Sequence, residues 1–500
     1  MSADNSYNGK ISFGEKVGYS LGDLAANLVF QMIMIYQLKF YTDVFGLNGA
    51  IAGSVLLVAP MVSAFADPIV GILTDRTNTR WGKYRPWILA SALPFCLFYI
   101  LAFHKPDIQD KTLLAVYAAV SYVLLLMMYS FNNTPYASLG GVMTADIKER
   151  TSINTVRFVA STIAQFAVQG FTLPLIDRLG GSDASRGWSR TILLFAFIAF
   201  ICLLITFFTT KERIAQPPQQ KSSVREDVRE TFGNVSWRVM FVLCLAVYTS
   251  LAMFGSSMNF YFQSYLDQHS LYELLHGLGL ADTEREAYSA GFSLFNILNA
   301  VMQFVGVVFL SGWLAGKLGK KTVYIVCLSL TVLFQALFYL PSPDNVVMVY
   351  VLCILKSLSY APTIPLMWAM VADVADYMEY LNRRRATGFC FSGIMFALKM
   401  GLGFGGALSG ILLSAFGYVS GGTAIQSSGA VEGIRLVSSI VPAVVYGIAL
   451  ASVLFYPITK RFNEKMQAEL AVRRKRAGRM TVGGMHAKRT KQRRKTEDER

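Results

Sequence analysis

Residues 67–87 read "DPIVGILTDRTNTRWGKYRPW". Asp67 follows an apolar run, Asp75 comes about two helical turns later, and Arg76, Arg80, Lys83 and Arg85 complete the stretch. Such a passage from apolar to acidic to strongly basic marks the end of a membrane span. The apolar part crosses the hydrocarbon, and the cations stop it at the cytoplasmic face.

The rest of the chain has the same character. Of its 500 residues 54% are hydrophobic and 15% are charged, against about 25% charge in a soluble domain. A hydrocarbon layer of ~30 Å takes about 20 helical residues to cross. Twelve apolar stretches recur, at 16–40, 49–73, 86–104, 112–136, 155–176, 191–210, 237–263, 290–315, 322–341, 346–372, 386–416 and 436–457. The predicted fold class is an all-α polytopic membrane protein with twelve transmembrane helices. The first stretch is too long, and too punctuated by Asp23, Asn27 and Gln31, to read as a signal peptide. All six cysteines fall inside apolar stretches without disulfide or metal spacing, and the four histidines are scattered. No metal site and no cofactor beyond a transported cation is therefore expected.

Positive charge in short connections marks the cytoplasmic side. It gathers after every even-numbered stretch: Arg76 to Arg85, Lys148 and Arg150, Lys211 and Arg213, Lys317 to Lys321, and Arg383 to Arg385. Both termini are thus expected in the cytoplasm. The formal net charge of +15 does not point to nucleic acid, because two-thirds of the excess lies in a low-complexity tail ("RRKRAGR", "KRTKQRRK") beside the last span. Such a tail is expected to lie on the anionic lipid bilayer.

The polar connection "KERIAQPPQQKSSVREDVRET" splits the chain into six stretches plus six. The halves echo each other. "GILTDRTNTR" (71–80) after the second stretch matches the frame of "GWLAGKLGKK" (312–321) after the eighth. "PYASLGGVMTAD" (135–146) after the fourth matches "PLMWAMVADVAD" (365–376) after the tenth. Two echoes in register argue for a duplicated unit, with bundles at 1–210 and 237–458, a linker at 211–236 and a basic tail at 459–500. Transporters built on such repeats rock one half against the other around a central site.

These features resemble the major facilitator superfamily, whose signature between helices two and three is a Gly-x-x-x-Asp-Arg run with later basic residues. More narrowly, the chain resembles the glycoside–pentoside–hexuronide:cation symporters. The matching segments are "GYSLGD", "FYTDVFGL", "ADP" with "RWGKYRPW", "NTPYASL", "ERTSINTVRF", "MVADVADYMEY" and "ALKMG", spread over about residues 12–460. The resemblance implies two pseudo-symmetric six-helix bundles and no enzymatic activity.

A charge at mid-bilayer costs about 2.5–3.5 kcal/mol or more, so it usually faces a cavity and works there. Lys39, Asp43 and Asp146 read as helix-end residues, whereas Asp67 lies deep in its stretch. A buried carboxyl can alternate between protonated and ionised forms as its surroundings change. The resemblance makes Asp67 the cation-coupling carboxylate. Sodium-using members carry a second acid one turn earlier, where this chain has Ser63. That favours H⁺ over Na⁺, with Ser130 as a further hydroxyl ligand.

The resemblance also places Asp23, Arg157 and Lys399 near the sugar, and Asn133 where some members have an aspartate. Asp23–Lys399 and Asp67–Lys399 ion pairs are the competing reading. Lys356 lies well inside the tenth stretch and either pairs with an acid or binds an anionic substrate. Tyr36, Tyr136, Tyr360 and Trp368 are candidates for stacking on a sugar face. At the cytoplasmic rim Asp75, Arg76 and Arg80, with Asp146, are expected to gate. Asp376 with Arg383 is their second-half counterpart.

The function expected is import of a sugar, glycoside or hexuronide with a cation, by a monomer, in a bacterial inner membrane. Each inward charge gains about 2.3 kcal/mol per 100 mV. The uncharged Asn133 and the three central cations favour an acidic sugar. The alternatives are a lysolipid or other amphiphile carrier on the same scaffold and, from another class, a receptor or channel.

Overall fold

The computed structural model describes residues 11–77, 79–144, 147–181, 183–213, 229, 231–382, 387–421, 425–470 and 472. Among the described residues, twelve helices are long and apolar enough to cross a membrane. They are α1 (Phe13–Val44), α2 (Gly49–Gly71), α3 (Arg85–Ala102), α4 (Lys111–Gly140), α5 (Ser152–Gly180) and α6 (Ser185–Thr209) in the first half. The second half holds α7 (Val235–Tyr265), α8 (Glu286–Leu318), α9 (Lys320–Leu337), α10 (Val346–Leu381), α11 (Gly393–Ala415) and α12 (Ser428–Leu454).

Their starts are written in short polar residues. Ser12 accepts from the Glu15 backbone N–H at 3.2 Å, Asp110 from Thr112 at 2.7 Å, and Asn234 from Trp237 at 3.2 Å. Each satisfies a backbone donor that the first helical turn leaves open. Large apolar side chains such as Leu93, Phe171, Phe197, Leu333 and Val444 stay exposed around the bundle. On a soluble protein they would be a liability; on a membrane protein they face lipid.

Within the first half α1 packs on α5 and α6, and α3 on α4; within the second α7 packs on α11 and α12, and α9 on α10 and α12. Across the halves α2 runs along α11, α5 meets α8, and α1 meets α7. The α2–α11 approach depends on glycine. A Cβ on Gly53 would lie 2.7 Å from the Ala407 carbonyl oxygen, and one on Gly49 would lie 2.6 Å from that of Gly410. Only residues without side chains let two backbones come this close.

α2 is interrupted at Phe65, between the segments Gly49–Ala64 and Ala66–Arg76. Pro68 has no N–H for the Ala64 carbonyl, which accounts for the break, and Asp67 sits one residue before that proline. α1 and α7 end alike, in wider π-type turns at Phe40–Val44 and Tyr261–Tyr265. This third echo between the halves is invisible to hydropathy. One expectation is refined: residues 460–470, assigned to the basic tail, form a helix docked on the second half. Its Met466 and Leu470 are buried, and its Phe462 packs on Tyr377 and Tyr380.

Candidate transport site

Asp67 forms an ion pair with Lys399, and the Lys399 ammonium also donates to Ser130 Oγ at 3.3 Å. Three helices thus converge, α2 and α4 of the first half and α11 of the second. The expected cation ligands Asp67 and Ser130 are brought together, with Lys399 between them as a positive charge. Of the two ion-pair alternatives for Lys399, the one with Asp67 is the one that forms. Ser63 is buried one turn away, and its hydroxyl donates to the Pro60 carbonyl at 3.0 Å.

Asp23 pairs instead with Arg157, Nε to Oδ1 at 3.1 Å. The Arg157 guanidinium lies 5.8 Å from the centre of the Tyr136 ring. Tyr136 in turn stacks on Tyr19, with ring centres 4.6 Å apart, and donates to the Tyr19 carbonyl at 2.9 Å. It is fully buried, so one ring face is committed to Tyr19 and is not open to a sugar. Tyr129, on α4, lies within electrostatic reach of Asp23, Arg157 and Asp67, which places both ion pairs around one helix. Asn133 is half-buried one turn further along α4.

Lys356 stands apart from both pairs. It is 3% exposed, and its ammonium lies 3.2 Å from the centre of the Phe254 ring. Among the described residues no carboxylate comes within 4.0 Å of it. It lines a cavity of about 170 Å³ between the halves. Much of the polar lining is amide: Gln31, Gln165 and Gln169 from the first half, Asn296, Asn299 and Gln303 from the second.

Beyond this cavity the halves close on each other. Asn259 donates to the Ile35 carbonyl at 2.7 Å. Lys39 pairs with Asp43 at 3.0 Å, donates to Gln263, and lies 5.2 Å from the centre of the Tyr288 ring. Tyr418 donates to Asp43 at 3.0 Å, Ser414 to Asn48 at 2.8 Å, and Ser420 to the Leu47 carbonyl at 2.8 Å. Burial, reinforced by Asp43, pushes the Tyr418 hydroxyl's pKa up, so it remains a neutral donor. Lys39 and Asp43 lie in the last turns of α1, as expected of helix-end residues, but Lys39 is buried and Asp43 half-buried, and they bridge the halves. A lysine and an aspartate four residues apart were the available signal, since i,i+4 pairs face each other on a helix.

The remaining candidates lie elsewhere. Tyr360 is buried beside Tyr446, and Trp368 packs against the same second-half core, so neither joins the charged cluster. Arg80 is exposed and covers Trp81 at 4.7 Å. Asp376 accepts from Gln467 at 2.8 Å. The bidentate ion pair at this rim is Lys320–Asp373, at 2.7 and 2.8 Å, three residues before the acid that the repeat suggested. Asp146 and Arg383, and the side chains of Asp75 and Arg76, lie outside the described residues.

Comparison with known proteins agrees with this architecture. The model of the family described as "MFS/sugar transport protein" matches residues 18–283 and 286–460. The chain is 33% identical to the inner membrane symporter YicJ of Escherichia coli K12 over 467 residues, 93% of this chain and 96% of that protein. It is 32% identical to the isoprimeverose transporter of Lactiplantibacillus pentosus, covering 92% of this chain and 91% of that one. With a glucuronide carrier protein homolog of E. coli K12 the identity is 29%, covering 94% and 97%. The crystal structure of a D-xylose–proton symporter superposes with a TM-score of 0.60 at 13% identity, covering 89% of this chain and 97% of that one, and supports the fold alone. The twelve spans, the family match and the relatives together make the chain a multi-pass membrane transporter, not an enzyme, and it belongs to the MFS/sugar transport protein family, within the glycoside–pentoside–hexuronide:cation symporters.

Proposed function

We propose that the protein imports a sugar or glycoside with a monovalent cation by alternating access, with Asp67 as the coupling carboxylate. The observation that carries this reading is the position of its partner. Asp67 belongs to the first half and Lys399 to the second, so whatever occupies the carboxylate decides a bond between the halves. A proton or Na⁺ arriving at Asp67 competes with the Lys399 ammonium. Once displaced, Lys399 no longer ties α11 to α2, and the halves can rock. A lone carboxylate with two nearby hydroxyl residues, Ser63 and Ser130, favours H⁺; Na⁺ wants more oxygens.

Asp23 and Arg157 are the sugar-facing pair in this account. A carboxylate accepts from sugar hydroxyls and a guanidinium donates to them. Relatives named for isoprimeverose and for a glucuronide support a carbohydrate over a lysolipid. With the termini in the cytoplasm, the closure at Lys39, Asp43 and Tyr418 faces outward. The described hydrogen bonds between the halves lie there or at Lys399, as expected of a carrier sealed from the outside.

The test is uptake by membrane vesicles under imposed gradients. Sugar accumulation driven by an inward proton gradient and indifferent to Na⁺ is the expected result. Accumulation that ignores both ions contradicts cation coupling.

A further inference from the structure

We propose that the Lys356 cavity is the docking site for the anionic group of the substrate, a carboxylate carried on a sugar. This deepens the symport reading and rests on it.

A buried ammonium without a counter-ion is costly. The Phe254 face offsets part of that cost, but a ring is not a counter-charge. Lys356 has the ring at 3.2 Å and, among the described residues, no acid within 4.0 Å. Its ammonium instead borders a cavity of about 170 Å³. A liquid water takes ~30 Å³, so the cavity has room for a group of several heavy atoms. A neutral ligand would leave the ammonium unpaired, whereas an anion supplies the missing charge.

The amides suit the same guest. Gln169 donates to Gln31 Oε1 at 3.2 Å, which leaves the Gln31 NH₂ as a donor. Asn299 Oδ1 already accepts from Ser357 at 2.7 Å and Gln303 at 3.0 Å, which leaves its NH₂ as well. Gln169 Oε1 is buried without a partner and is an acceptor for a hydroxyl. Donors beside a cation, with an acceptor nearby, match a carboxylate attached to a hydroxylated ring.

The location fits a single elongated ligand. On α1, Asp23 and Gln31 are eight residues apart on one helix face, about 12 Å, with Asn27 between them. On α5, Arg157 and Gln165 have the same separation. A polar track therefore joins the Asp23–Arg157 pair to the cavity, and a glycoside can place hydroxyls on the pair and its acid on Lys356. Because the cavity draws on both halves, the docked anion also bridges them.

The experiment measures binding of methyl β-D-glucuronide and methyl β-D-glucoside to the purified full-length protein by calorimetry, and their gradient-driven accumulation in proteoliposomes. The variants are Lys356→Met and Lys356→Arg, checked for monodispersity. The expected result is glucuronide binding to the wild type that weakens at least about tenfold in Lys356→Met and largely recovers in Lys356→Arg. Equal glucuronide affinity in wild type and Lys356→Met, wild-type binding of the glucoside alone, or binding of neither probe overturns the anion site. If the glucoside alone binds and still accumulates with a cation, the symport reading stands without this site. Glucuronide binding that depends on Lys356 without gradient-driven accumulation has the opposite meaning: the site is right and the symport reading fails.

Discussion

Asp67 and Lys399 are 332 positions apart in the chain, yet their side chains join the second helix of one half to the fifth helix of the other. The strength of that bond follows from its setting. Breaking a fully buried pair by removing one partner costs about 3–5 kcal/mol. Here the Lys399 and Asp67 side chains keep 24% and 35% of their surface open, so a coupling of about 1 kcal/mol is expected instead. A double-mutant cycle of Asp67→Asn and Lys399→Gln, read by thermal unfolding in detergent, measures it. The double variant should be more stable than the sum of the single losses predicts.

The closure at Lys39 and Asp43 gives a second prediction. Lys39→Met or Asp43→Asn removes the charge at a contact that both halves share, and should raise the share of molecules open to the outside. A cysteine at Ser420, which donates to the Leu47 carbonyl in the closed state, reports this with an impermeant maleimide. Labelling should rise several-fold in either variant. The six native cysteines are buried and keep the background low.

Gly53 and Gly410 test the closure sterically. A leucine at either position cannot coexist with the present α2–α11 approach, and overpacking costs about 1–3 kcal/mol. Each variant should reach the membrane but lose most uptake, with Ser420→Cys labelling again increased. Normal uptake by Gly410→Leu would show that this approach is not part of the cycle.

Asp23→Asn separates sugar binding from cation coupling. If Asp23 and Arg157 hold hydroxyls, the variant should raise KM at least about tenfold, while the ion dependence of what uptake remains is unchanged. A shift in ion dependence with KM preserved would instead assign Asp23 to the cation.

Much of the architecture was legible in the sequence because hydropathy is local. Each of the twelve apolar stretches lies within, or a few residues off, a helix of the structure. The duplication was readable for the same reason, since the echoes at 71–80 and 135–146 keep their spacing in the second half. Pairing was not. Asp23 had only Lys399 as an expected ion-pair partner, whereas packing of α1 on α5 gives it Arg157. Lys39 sat where the apolar run ended and looked like an interfacial cation; the second half, through Phe260, Gln263 and Tyr288, packs around it. The surroundings of the aromatic candidates were hidden for a related reason. Tyr136, Tyr360 and Trp368 have the composition of a sugar platform, but composition does not say which neighbour covers a ring. Residues 460–470 were hidden by the basic tail that follows them, because net charge over a window outweighs the few apolar residues of one helix face.

The most direct measurement compares Asp67→Asn with wild type in proteoliposomes, for uphill accumulation and for counterflow of the same sugar. The account predicts that the variant loses accumulation under every ion gradient while still exchanging sugar across the bilayer, since binding and rocking persist without coupling. Accumulation against a gradient at the wild-type level by Asp67→Asn would contradict it.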